Sequence, residues 1–268
     1  MNISEKITKL TSKSRYDFED LVDLVEVLRS EQGCPWDREQ DHHSIRDDLI
    51  EETYEVIEAI DTDDPKLLRE ELGDVMMQVV FHARIEEENG VFNIDDVAND
   101  ICAKMIHRHP HVFGDISVDN SAEVLSNWEK IKSDEKERRT VTDKLRSIPP
   151  MLPALMRAAK VGKKASCFDF ETVDAVMDKV AEEMIEVSEA MQEGKPEMIE
   201  EEIGDLLLTV TSLCRKLGVN PEQALNHATD KFIGRFERIE NEVISSGRNI
   251  NEMKMAELDA IWDKIKHN

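Results

Sequence analysis

Little in this chain is suited to sheets, tight turns or membranes. Only 10 glycines and 8 prolines punctuate its 268 residues, and no alternating strand pattern of useful length appears. That excludes the common all-β and α/β plans. No apolar run approaches the roughly twenty residues that a membrane-spanning helix needs. The first thirty residues are charged throughout, so no signal segment is expected. Cysteine is scarce. Cys34, Cys102, Cys167 and Cys214 form no CxxC pair and no zinc-ligand spacing, which points to reduced thiols and a cytoplasmic protein. Basic residues are outnumbered, 34 against 59 acidic, for a net charge of -25. A surface so negative is not expected to bind nucleic acid polymers, whose phosphates need a basic partner. No serine sits in a nucleophile-elbow context.

What is present favours helix. Glu, Lys, Leu, Met and Ala are abundant, 40% of the chain is apolar and 35% is charged. This mixture suits surface helices with one apolar stripe each. Asp64-Pro65 and Asn220-Pro221 each offer a capping side chain followed by proline at the first helical position. Asn89-Gly90 and Leu217-Gly218 supply glycine stops. These signals predict an all-α protein with helices near 16–31, 43–61, 65–89, 94–108 and 121–138, then 153–164, 172–193, 196–217, 221–246 and 252–266.

The second set repeats the first. Glu51-Glu52-Thr53-Tyr54-Glu55 answers to Glu182-Glu183-Met184-Ile185-Glu186, and Glu70-Glu71-Leu72-Gly73-Asp74 to Glu201-Glu202-Ile203-Gly204-Asp205, both 131 residues on. Lys104 and Arg108 match Lys231 and Arg235, and Trp128 with Lys132 matches Trp262 with Lys266, at offsets of 127 and 134. Two copies of one unit are the reading. The proline-rich stretch from Ser147 to Pro153 breaks any helix, which places the junction near 147 and the domains at 1–146 and 147–268.

The acids are the chemical signal. At about 100° per residue, Val176, Val180, Met184, Val187 and Met191 share one face of the 172–193 helix, with Glu183 and Glu186 on its flank. Ile199, Ile203, Leu206, Val210, Leu213 and Leu217 form the stripe of the next helix, with Glu202 and Asp205 on the same flank. Packed antiparallel, the two helices bring four carboxylates together. Such a group is repulsive unless a cation cancels it, and hard oxygen ligands suit Mg²⁺. One Glu-Glu-x-x-Glu run fits a solvated face equally well. The two-part pattern occurring twice at one spacing is what argues for a site.

These residues resemble the MazG family of nucleoside triphosphate pyrophosphohydrolases. The resemblance is carried by Gly33-Cys34-Pro35-Trp36-Asp37, Glu51-Glu52-x-x-Glu55 with Glu71-x-x-Asp74, Arg108-His109-Pro110-His111-Val112-Phe113, and the second acidic pair ending in Glu202-x-x-Asp205. It runs from about Leu21 to Lys266. It implies an all-α, two-domain, homodimeric enzyme that splits nucleoside triphosphates between the α and β phosphates with Mg²⁺, for which Mn²⁺ can substitute. By that resemblance Glu183, Glu186, Glu202 and Asp205 are metal ligands, with Glu52, Glu55, Glu71 and Asp74 in the matching places. Lys179, Glu201, Lys231, Arg235, Trp262 and Lys266 are substrate contacts, matched in the first copy by Lys104, Arg108, Trp128 and Lys132. Glu182 or Glu183 is the candidate base. Where family members often carry a lysine before the second acidic pair, this chain has Met198, with Lys195 out of register.

The copies differ at one telling place. Lys179 precedes Glu183 by one helical turn and suits a phosphate, whereas its counterpart Asp48 repels one. The second domain is therefore expected to carry most of the activity. Trp262 is either a base-stacking or a core aromatic. Trp36 reads as a plug into the bundle. His107, His109 and His111 flank a helix-breaking Pro110, which suits structural roles better than zinc. A di-iron bundle would need Glu-x-x-His on two helices, and only Glu39 and His42 have that spacing. A non-catalytic acidic scaffold is the other alternative.

Overall fold

A computed structural model describes residues 1–135 and 140–266, and among them there is no strand. The first part runs through α1 (Ile3–Ser12), α2 (Phe18–Arg29), α3 (Pro35–Glu39), α4 (Arg46–Asp61), α5 (Pro65–Glu88), α6 (Ile94–Arg108), α7 (Pro110–Phe113) and α8 (Ser121–Glu135). The second comprises α9 (Val141–Arg146), α10 (Ala154–Lys164), α11 (Val173–Glu193), α12 (Pro196–Lys216), α13 (Pro221–Ser245) and α14 (Met255–Lys266), with 3₁₀ turns at Ser166–Phe168 and Ile250–Glu252. The long helices lie within a few residues of the expected ones. The last residues of the helix expected over 121–138 fall partly outside the described residues. α1, α3, α7 and α9 were not anticipated, being short or lying in charged sequence.

The chain divides into two compact units, Met1–Lys132 and Ser133–Asn268. This boundary precedes the expected junction at 147 because α9 packs on α10 and so belongs with the second unit.

Each unit is organised around a helical hairpin, α4 with α5 and α11 with α12. The local chemistry sets the ends. Asp64 accepts from the backbone N–H of Lys66 at 2.9 Å and of Leu67 at 3.1 Å, and Pro65 opens α5. Asn220 caps α13 in the same way ahead of Pro221. The α11–α12 turn needs only Gly194 and Lys195; Gly194 adopts φ 69°, which glycine tolerates without a Cβ penalty.

The faces that pack differ from those inferred from the stripes. On α11 the buried residues are Val176, Glu183 and Ala190, seven residues apart. On α4 and its entry, Ile45, Glu52 and Ala59 hold the matching places, with Ile45 and Ala59 buried. The acid is thus set between a β-branched residue and an alanine in the hairpin seam, not on its flank. Met184 and Met191 are exposed, as are Ile203 and Leu217, contrary to the stripe reading.

Apolar packing elsewhere anchors the hairpins. Val25, Ile45, Val80, Phe81 and Ile85 form the first core, and Ile239, Val243 and Ile261 a core between α13 and α14. Buried Arg29 ties α2 to the rest: it pairs with Glu88 at 2.8 Å, donates to the carbonyls of Asp37 and Gln40, and lies over Phe81. A Cβ on Gly33 would meet the carbonyl oxygens of Val27 and Leu28 at 2.1 and 2.2 Å. Glycine is therefore required where the chain turns back across the end of α2 into α3. Trp36, on α3, is 61% exposed and does not plug the bundle.

Candidate metal and nucleotide site

In the second unit, α11 supplies Glu183 and Glu186 and α12 supplies Glu202. Oxygens from all three lie within 4.8 Å of one another. Glu183 is 4% exposed, and its Oε2 is buried with no hydrogen-bond partner among the described residues. Burial first, then the neighbouring Glu186, Glu201, Asp205 and Glu183, push the Glu202 carboxyl above the ordinary glutamate range. An orphaned carboxylate oxygen among repelling acids is unfavourable unless a cation joins it. The donor set is all oxygen, which fits a hard divalent ion.

Lys179 partly fills that role. Its ammonium lies 2.8 Å from Glu182, 3.0 Å from Glu183 and 3.7 Å from Glu186. These carboxylates, Glu182 foremost, raise it above the usual lysine range. Lys179 is thus the cation that partly balances these acids.

The first unit repeats the cage without the lysine. Oxygens of Glu52, Glu55 and Glu71 lie within 4.8 Å of one another. Burial, then Asp74 and Glu55, raise the carboxyl of Glu52; burial, then Glu55 and Asp74, raise that of Glu71. Asp48 stands where Lys179 stands in the other copy, 131 residues away. In both units the aspartate, Asp74 or Asp205, is close enough to act on the glutamates but is not one of the three clustered groups. No histidine joins a candidate metal group among the described residues. Nδ1 of His109 lies 2.6 Å from the Met105 carbonyl oxygen and its ring packs against His111, as structural histidines do.

The remaining expected contacts sit on later helices. Arg235 lies over the Trp262 ring at 5.6 Å, Phe232 packs on it at 5.5 Å, and Trp262 covers the α13–α14 core. Those are the contacts of the core alternative. In the first unit Arg108 and Lys132 lie over Trp128 at 5.5 and 4.6 Å, so the offset match extends to a shared cation–π pair. Lys104, Lys231, Lys266 and Glu201 are exposed. No ion pair or hydrogen bond among the described residues joins Lys231, Arg235 or Lys266 to the acids.

Two features escaped the sequence. His42 bridges His82 (Nδ1 to Nδ1, 2.8 Å) and Glu86 (2.6 Å), tying the α3–α4 loop to α5. Two ring nitrogens so close share one proton, and burial with the His42 ring lowers the pKa of His82. A pocket of about 210 Å³ also opens beside Glu52. Its lining residues are far apart in sequence, so no local pattern could announce it.

Paired helical hairpins that each bring three glutamates together, one of them buried, define a class: all-α proteins with carboxylate groups that could hold a divalent cation. The family model for the MazG nucleotide pyrophosphohydrolase domain matches residues 40–113 and 171–239, together just over half of the chain. Over 251 residues the chain is 43% identical to the nucleoside triphosphate pyrophosphohydrolase/pyrophosphatase MazG of Thermotoga maritima, covering 93% of this chain and 95% of the relative. It is 41% identical over 254 residues to the nucleoside triphosphate pyrophosphohydrolase of Escherichia coli K12, covering 92% and 95%. It is also 42% identical to the uncharacterized protein YabN of Bacillus subtilis, of which it spans 52%. The chain belongs to the MazG family in its two-domain form, and is an enzyme of the nucleotide pyrophosphohydrolase class.

Proposed function

We propose that this enzyme hydrolyses nucleoside triphosphates between the α and β phosphates in a Mg²⁺-dependent reaction, releasing pyrophosphate and a nucleoside monophosphate. The observation that carries the proposal is the triad Glu183, Glu186 and Glu202, with the buried, orphaned oxygen of Glu183 and adjacent Lys179. The names of the relatives support the substrate class.

In this reading Glu183, Glu186 and Glu202, with Asp205 beside them, hold Mg²⁺, and Mn²⁺ can replace it. The ion, when bound, neutralises phosphate charge and acidifies a coordinated water. Lys179, freed from its carboxylates, meets a phosphate oxygen. Glu182, exposed at the rim, or Glu183, at the seam, takes the proton of the attacking water. Lys231, Arg235 and Lys266 carry positive charge on α13 and α14 for the remaining phosphates, with Trp262 supporting Arg235. Lys104, Arg108, Trp128 and Lys132 are the first unit's counterparts. Most turnover belongs to the second unit, because Asp48 in the first repels the phosphate that Lys179 attracts.

The active form in this proposal is a homodimer. Met184, Leu207 and Leu208 on the second hairpin and Phe232 and Ile233 on α13 are large apolar side chains left exposed, which supports pairing with a second copy. Four free cysteines support the cytoplasm as its compartment. No helix of the described residues is long and apolar enough to cross a membrane.

Incubation of the protein with each nucleoside triphosphate and Mg²⁺, followed by product identification, tests the reaction. Pyrophosphate with monophosphate is expected. Orthophosphate with diphosphate would overturn the proposed bond.

A further inference from the structure

We infer that the second unit holds a site for a small organic phosphate, in the cleft between α10 and the turn from α12 into α13, with Lys160, Lys163 and Arg215 as its cations. The cleft has a volume of about 420 Å³, within the about 300–1,000 Å³ of small-molecule sites. Met156, Ala159, Val219 and Pro221 give it an apolar side, and no acid lines it. The chain as a whole has a net charge of -25, yet from Lys144 to Phe168 there are six basic residues and no acidic one.

The first unit has the matching cleft with the opposite charge. There α2 packs on α5 as α10 packs on α12 in the second. Asn93 caps α6 and Asn220, 127 residues on, caps α13, and each lines its cleft. Glu19, Asp23, Glu26, Glu87 and Asp95 line the first cleft, and α1 answers them. Lys6 pairs with Asp23 at 2.7 Å and Glu26 at 2.6 Å, and Lys9 pairs with Asp23 at 2.7 Å. The arginine on the hairpin differs in the same sense. Arg84 is held by Glu26, Glu87 and Glu88 at 3.5, 3.0 and 3.1 Å. Its counterpart Arg215, 131 residues on, meets none of these acids. α10 carries no acid, and α12 stops at Lys216, short of the last turn that carries Glu87 and Glu88 in α5.

Asp169 takes both terminal nitrogens of Arg215 and also meets Lys216 at 2.9 Å, so one positive charge of this group is left over. The guanidinium is thereby fixed in place, with its Nε buried and unpaired among the described residues. Glu222, beside the cleft, accepts from the Met156 N–H at 3.1 Å. No hydrogen bond or ion pair joins Lys160 or Lys163 to a described residue. Three residues apart on α10, the two lysines share a face. Cations without counterions beside an apolar wall suit a ligand with an anionic head and an organic body, and a phosphate group accepts from several such donors at once. The inference stands apart from the nucleotide reading, since no residue assigned there lines this cleft.

Calorimetric titration of the full chain at low salt without Mg²⁺ tests the site, with phenyl phosphate, inorganic phosphate and phenol as probes. Phenyl phosphate is expected to bind more tightly than either of the others. Replacing both Lys160→Gln and Lys163→Gln should weaken it about tenfold or more, at about 1 kcal/mol or more for each ion contact. The melting temperature should not change, because both lysines are exposed. Lys231→Gln, which removes a cation assigned to the nucleotide site, should leave this binding as it is. Absence of phenyl phosphate binding overturns the inference, as does binding that survives the double substitution or is lost in Lys231→Gln. Inorganic phosphate or phenol binding as tightly as phenyl phosphate overturns the assignment of an organic phosphate. Triphosphate turnover with Mg²⁺ reads the catalytic proposal separately, so either can fail alone.

Discussion

Glu183 occupies a seam position that an ordinary hairpin would give to leucine, so Glu183→Leu should make the metal-free protein more stable and inactive. Val176 and Ala190, its neighbours along the seam, are 0% and 2% exposed, and Glu183 itself is 4% exposed. Burying a leucine side chain there contributes about 1.5–3 kcal/mol. Removing the orphaned Oε2 adds about 1–3 kcal/mol. Against these stand the lost contact with Lys179, about 0.2–1 kcal/mol for a partly exposed pair, and imperfect packing in a slot shaped for glutamate. Buried charges replaced by apolar groups commonly give a net gain of about 1–4 kcal/mol. At about 2–4 °C per kcal/mol for chains of comparable size, the melting temperature should rise by several degrees. Scanning calorimetry of both proteins, with and without Mg²⁺, reads this directly, and pyrophosphate release gives activity. The wild type should gain stability with Mg²⁺ and the variant should not. A Glu183→Leu protein that melts below the wild type without metal would refute the reasoning, because the carboxylate would then be structural.

The two cages should not be equal: Glu186→Ala should abolish most turnover and Glu55→Ala little of it, compared as kcat with saturating Mg²⁺, and equal losses would remove the asymmetry assigned to Lys179 and Asp48. The raised carboxyls of Glu52, Glu71 and Glu202 imply a defined pH response. The folded chain keeps these protons longer than the unfolded one, so their contribution is fully present below the ordinary glutamate range and is lost as pH rises through the folded values. Melting curves of the wild type and Glu202→Gln without metal should therefore separate above that range, with the variant higher, and converge in acid. Arg29→Met should cost about 1–3 kcal/mol, measured by urea unfolding, since it removes the buried donor of the Asp37 and Gln40 carbonyls, whereas Glu88 is exposed and keeps Arg84.

The sequence revealed most where spacing maps directly onto geometry. Proline-started, glycine-stopped helices appear as expected because their caps are local chemistry, as at Asp64 and Asn220. The acid clusters were legible because a repeat held their spacing fixed. The seam was not. Periodicity ranks faces by apolarity, and that placed Met184 and Met191 inward; the packed line is Val176, Glu183 and Ala190, with the acid itself buried. Trp36 misled for a related reason, since its hydrophobicity suggests burial while the Gly33 turn presents it outward. The His42–His82–Glu86 link depends on residues about forty apart meeting across helices, which no local pattern encodes.

The most direct measurement of the central claim is anomalous diffraction from crystals grown with Mn²⁺ and a non-hydrolysable triphosphate. A manganese peak among Glu183, Glu186 and Glu202, with Lys179 turned from the carboxylates to a phosphate oxygen, is the predicted result. Carboxylates splayed from one another with no metal between them, or a nucleotide bound well away from them, would contradict it.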